Sequence, residues 1–117
     1  MTGPVIFVED DDALRLATTQ ALELAGIDVL PFARGDHAVA AITRDFPGAI
    51  VSDIRMPHMD GLELLAAVDA IDREIPVILI TGHGDIAMAV AAMRDGAADF
   101  LTKPFATDHL VAAVRRS

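Results

Sequence analysis

The 117-residue chain contains no cysteine, which excludes disulfides and thiolate metal sites and gives no pointer to an oxidising compartment. Aromatic residues are only 4% of the chain, with neither tryptophan nor tyrosine, so any core is expected to be aliphatic and alanine-rich. No stretch approaches the ~20 consecutive apolar residues of a membrane helix. The start, Met1-Thr2-Gly3-Pro4, lacks the basic and long apolar regions of a signal peptide, and a cytoplasmic location is expected. Cations are scarce as well. Nine Lys and Arg face 18 Asp and Glu, and the net charge of −9 argues against a nucleic-acid surface, which needs clustered basic residues. Lysine occurs once, at Lys103.

What is present is apolar material, 53% of the residues, in a chain of one-domain length. Its period changes repeatedly. Val5–Val8 is a short continuous run, as expected of a strand buried on both faces. Leu14, Ala17, Ala21, Leu22 and Ala25 follow at helical spacing, with Gly26 as the stop. A weaker strand is expected at 27–32 and a second helix at 35–45, then a third strand over Ala49–Ser52 and a helix over 62–72. Val77–Ile80, a helix at about 86–95 closed by Gly96, a strand over Asp99–Leu101 and a helix at about 107–116 complete the pattern. Five βα units with short connections predict an α/β domain with one parallel sheet and helices on both faces; five strands are too few for an eight-stranded barrel.

The chemistry-bearing residues fall at the ends of these runs. Glu9-Asp10-Asp11-Asp12 follows the first strand, Asp53 the third, Thr81 the fourth, and Lys103 the fifth. Strands running in parallel would gather all four points at one sheet edge, the crevice where open α/β sheets bind ligands. Carboxylates, a hydroxyl and one ammonium meeting there suit a metal ion and a phosphoryl group. Plainer roles fit some of these acids: Asp11 and Asp12 suit the start of the first helix, and Asp60-Gly61 a turn into the third. His37, His58, His83 and His109 lack metal-ligand spacing and are expected to ligate nothing.

Val-Glu-Asp-Asp at 8–11, Asp53-Ile-Arg-Met-Pro-His-Met-Asp-Gly61, Thr81-Gly and Lys103-Pro-Phe together resemble the receiver domains of two-component response regulators, over nearly the whole chain. Thr81-Gly-His-Gly-Asp-Ile86 and Asp99-Phe-Leu-Thr-Lys-Pro-Phe105 are most similar to regulators of C4-dicarboxylate transport and of nitrogen metabolism, which activate transcription with the alternative nitrogen sigma factor. The resemblance implies a flavodoxin-like, doubly wound (βα)5 fold with strand order 2-1-3-4-5. It implies that Asp53 accepts a phosphoryl group from a sensor histidine kinase, in a domain that catalyses its own phosphorylation and dephosphorylation. Magnesium is expected on Asp10, Asp53, the Arg55 carbonyl and, through water, Glu9, with Lys103 and Thr81 contacting the phosphoryl oxygens. Thr81 and Phe100 match the switch positions; relatives often carry tyrosine at the second. A homodimer through the fourth helix, fifth strand and fifth helix is expected, as is a longer regulator in which residues 1–117 are followed by ATPase and DNA-binding domains. His58 occupies a position where many relatives have glycine and is expected to border the site. Two other readings stand beside this one: a stand-alone receiver or phosphorylation-independent interaction domain, and an aspartate-nucleophile phosphatase. The phosphatase would need a second aspartate where Arg55 stands.

Overall fold

A computed structural model describes residues 3–117. Five strands, β1 (Val5–Val8), β2 (Val29–Phe32), β3 (Ala49–Asp53), β4 (Val77–Thr81) and β5 (Asp99–Thr102), alternate with five helices. These are α1 (Asp12–Leu24), α2 (Gly35–Ala40), α3 (Gly61–Ile71), α4 (Ile86–Arg94) and α5 (Thr107–Arg116). All strand pairs are parallel and the order is β2-β1-β3-β4-β5, the doubly wound flavodoxin-like arrangement.

The apolar runs are continuous because both faces of the central strands are covered. Successive side chains point to opposite faces of a strand, so Val5 and Phe7 pack with Val51, Ile78, Ile80, Leu22, Leu110 and Val114 on the α1–α5 side. Ile6 and Val8 pack with Ile50, Leu79, Leu64, Val68, Ala89 and Ala92 on the α2–α3–α4 side. Every residue of β1, β3 and β4 is buried. No helix among the described residues is long and apolar enough to cross a membrane.

Two elements are shorter than their periodicity suggests. Ile27 does not begin β2: its amide bonds to the Leu22 carbonyl across Gly26, which sits at φ +85°, so this buried residue closes the C-terminal turn of α1. Helix α2 stops at Ala40 rather than running to 45. The amides of Ala41 and Ile42 turn to carbonyls three residues back, and Asp45 takes the left-handed conformation at φ +63° with its amide on Asp72.

Candidate functional site

The registers Val8↔Ser52, Asp53↔Ile80 and Thr81↔Thr102 bring the carboxyl ends of β1, β3, β4 and β5 to one edge. The chain therefore assembles the four sequence points there. Glu9 leaves β1 as a buried residue, 1% exposed, and Asp53 ends β3 at 7%. Lys103, just past β5 and before a cis Pro104, reaches back across the edge. Its Nζ donates to Asp53 Oδ2 at 2.8 Å and to Glu9 Oε1 at 3.2 Å. The other Asp53 oxygen accepts from the Ile54 amide at 3.1 Å, and Glu9 Oε2 accepts from the Asp11 amide at 3.1 Å.

Asp10 completes the group. Glu9, Asp10 and Asp53 each offer a carboxylate oxygen, and these oxygens lie within 4.8 Å of one another. Three acids, Asp10 exposed and the other two buried, leave with one ammonium an excess of negative charge at this edge. Burial pushes the Glu9 carboxyl above its usual range, and the neighbouring Asp53 adds to this, while the Asp11 amide and Lys103 only partly offset it. At Lys103, burial works to lower the ammonium's pKa, but hydrogen bonding to Asp53 and the charges of Asp53 and Glu9 outweigh it, and the net shift is upward. An all-oxygen donor set with surplus negative charge fits a hard divalent cation.

The surrounding loops hold this edge in place. Asp11 caps α1 by accepting from the Leu14 amide at 2.9 Å, the plainer role that its position suggested. Arg15 donates to the Glu9 carbonyl at 2.8 Å and to Asp12 at 2.6 Å, tying the acidic loop to α1. The Asp60–Glu63 capping box starts α3, and the Gly61 amide bonds to the Ile54 carbonyl at 2.8 Å. A side chain at Gly61 would meet the Asp53 carbonyl at 2.6 Å, so glycine lets α3 begin directly beneath the Asp53 backbone. His58 is exposed in the intervening loop at φ +71°, a conformation glycine adopts without steric penalty.

Thr81 is fully buried and its Oγ1 donates to the Gly82 carbonyl at 3.1 Å. Phe100 is half-buried against the α2–α3–α4 side of the core and borders a cavity with Leu101, Phe105 and His109. Arg55, two residues after Asp53, sends its guanidinium to Asp85, with Nε to Oδ2 at 2.8 Å and Nη2 to Oδ1 at 2.7 Å. Sequence reasoning missed this pair and the Arg15 anchor. Asp85 lies 30 residues from Arg55, and no local spacing marks the two as partners.

A doubly wound sheet with an acidic edge and one lysine reaching across it defines a class, and comparison with known proteins names it. The model of the response regulator receiver domain matches residues 5–115, and the chain belongs to that family. The C4-dicarboxylate transport transcriptional regulatory protein DctD of Rhizobium meliloti is 54% identical over 116 residues, 98% of this chain and 25% of that protein. The DNA-binding transcriptional regulator NtrC of Salmonella typhimurium is 42% identical over 115 residues, again 98% of this chain but 24% of the relative. The chain thus spans about a quarter of the length of these relatives. The crystal structure of FixJ-N covers 99% of the chain and 94% of its own at 36% identity and a TM-score of 0.87. A response regulator receiver domain protein from Clostridium thermocellum superposes with a TM-score of 0.93 at 25% identity, over 97% of this chain and 92% of its own.

Proposed function

We propose that this domain is the phosphoacceptor switch of a two-component system, with Asp53 taking a phosphoryl group from a histidine kinase. The observation that carries this reading is the position of Lys103 Nζ between Asp53 and Glu9, residues 50 and 94 positions away in sequence. An ammonium held against a strand-end carboxylate beside two further acids is what phosphoryl transfer to that carboxylate requires: a nucleophile, a fixed cation and room for a metal.

In the transfer, an Asp53 oxygen attacks phosphorus, the P–O bond forms as the P–N bond of the phosphohistidine breaks, and the departing imidazole takes up a proton. Lys103 balances charge on the transferred oxygens. The Thr81 hydroxyl leaves the Gly82 carbonyl to donate to a phosphoryl oxygen, and Phe100 turns inward behind it. Water later attacks phosphorus, releasing inorganic phosphate and restoring the carboxylate. Magnesium fits the oxygen donors of Asp10 and Asp53, the Arg55 carbonyl and, through water, Glu9; when bound it supplies neutralisation of charge that develops on the phosphoryl oxygens. The switch acts through α4, β5 and α5, by homodimerisation, in a longer cytoplasmic regulator that activates transcription with the alternative nitrogen sigma factor. The DctD and NtrC relatives, about four times as long, support that extension.

Acetyl phosphate with and without magnesium tests the central step, read by intact mass with Asp53→Asn as control. One magnesium-dependent phosphoryl addition that the variant lacks is the expected result. No addition to a folded chain would leave a phosphorylation-independent interaction domain as the better reading.

A further inference from the structure

Three aspartates of this chain stand at helix N-caps, and two of them cap. Asp11 and Asp60 have extended backbones, with ψ of 115° and 173°, and their carboxylates accept the amide three residues on. Asp85, at the start of α4, differs: its ψ is 13°, it ends a short 3-10 turn over His83–Asp85, and it makes no side-chain cap. Aspartate is among the best capping residues, so an uncapped helix behind one needs a reason. The reason is Arg55, whose guanidinium takes both Asp85 oxygens in a fork. Asp85 is largely buried, with its side chain 12% exposed, whereas the Arg55 side chain is 74% exposed and belongs to the loop that follows Asp53.

The cations around the acidic edge are not equivalent. Lys103 is already shared between Asp53 and Glu9, and Arg15 is held by Asp12 and the Glu9 carbonyl. Arg55 alone of these three is paired with an anion outside the acidic edge, on the loop leading into α4. Phosphorylation replaces the single charge of the Asp53 carboxylate with an acyl phosphate carrying close to two negative charges, two residues from Arg55, and this group competes for the guanidinium.

We propose that Asp85 alternates between two partners: the Arg55 guanidinium in the unmodified chain, and the backbone amides of Ala87 and Met88 once a phosphoryl group on Asp53 draws the guanidinium away. Its trigger rests on the phosphoacceptor reading above; the exchange itself does not. Asp85 is a positioning residue, setting where Arg55 points and how α4 begins. Capping brings Asp85 to the extended backbone of Asp11 and Asp60, which unwinds the 3-10 turn and re-aims the first turn of α4. That helix carries Ile86, Val90 and Met93 at 38%, 43% and 39% exposure, so the exchange alters an apolar surface at a distance from Asp53.

Amide hydrogen exchange at Ala87 and Met88 tests this, with Val51 and Leu79 in the core as controls for an intact fold. Without any phosphoryl donor, Arg55→Gln frees Asp85 to cap and slows both amides about fivefold, the ratio equivalent to a typical cap. Asp85→Asn, which caps as well as aspartate but gives up the ion pair, slows them similarly; Asp85→Ala does not. Unchanged rates in Arg55→Gln, or slowing in Asp85→Ala, would overturn the proposal. Acetyl phosphate and magnesium added to the unaltered chain should slow the same amides, and a mass gain without slowing would also overturn it. The absence of a mass gain would overturn the phosphoacceptor reading alone, since the donor-free variants decide the partner exchange by themselves.

Discussion

Lys103 Nζ lies 2.8 Å from Asp53 Oδ2 although 50 residues separate them, and the same ammonium reaches Glu9 at 3.2 Å. One cation therefore holds together the ends of β1, β3 and β5. Its charge does not balance the three carboxylates at this edge, and the surplus is what prepares the edge for a second cation.

Removing that ammonium exposes the imbalance. Lys103→Met keeps the apolar stem but leaves buried Glu9 and Asp53 without their partner. The expected loss, measured by urea unfolding of the metal-free chain, is about 1–2 kcal/mol, below the range for fully buried pairs because Lys103 is partly exposed. Magnesium at saturating concentration should recover most of it. An unchanged urea midpoint would mean that the two ion pairs contribute nothing net.

The pH dependence of cation binding follows from Glu9. Its folded pKa is raised above the usual 4.5, with burial the main cause. For a raised pKa, the proton stabilises the folded chain below the unfolded value, and that contribution is lost as pH rises through the folded value. A cation needs the deprotonated form. Magnesium affinity, followed by calorimetric titration, should therefore weaken on acidification while the pH is still above 4.5, and the metal-free chain should be stabilised over the same interval. Glu9→Gln should raise metal-free stability at neutral pH and flatten that part of the affinity profile. Affinity that stays constant down to pH 4.5 would remove Glu9 from the cation site.

Gly61 supports the site through the backbone. A methyl group there would stand 2.6 Å from the Asp53 carbonyl oxygen and 2.8 Å from the Ile54 Cα, and neither can yield without displacing the end of β3. Gly61→Ala should cost about 2–3 kcal/mol of stability. It should also weaken magnesium binding, because Asp53 and the Arg55 carbonyl are carried on the displaced segment. A Gly61→Ala chain of unaltered stability would show that α3 is free to shift.

What the sequence made legible follows the range of the forces involved. β1, β3 and β4 were readable because burial on both faces leaves a continuous apolar signature, and the residues that end them were readable because parallel strands put every such end at one edge. Ile27 looked like strand because it is apolar and buried, yet its burial comes from closing α1. Apolar spacing through Ile42 looked like a longer α2, but the chain leaves the helix there through turns whose bonding partner, Asp72, lies 27 residues on from Asp45. The Arg55–Asp85 fork was invisible for a similar reason: it joins two loops, and loops carry no period.

Thr19 offers a test of packing away from the site. Its Oγ1 is buried on α1 without a hydrogen-bond partner, and a buried hydroxyl without a partner is destabilising relative to an apolar group of the same shape. Valine matches threonine closely in shape and in helix propensity, so Thr19→Val changes little besides the hydroxyl. The expected gain is about 1 kcal/mol, seen as a rise in Tm of about 4 °C for a domain of this size. Magnesium affinity should stay as it was, because Thr19 lies about two turns along α1 from the acidic loop. A loss of stability instead would mean that the hydroxyl is hydrogen-bonded in solution, and water reaching the buried side of α1 would be the source of that bond.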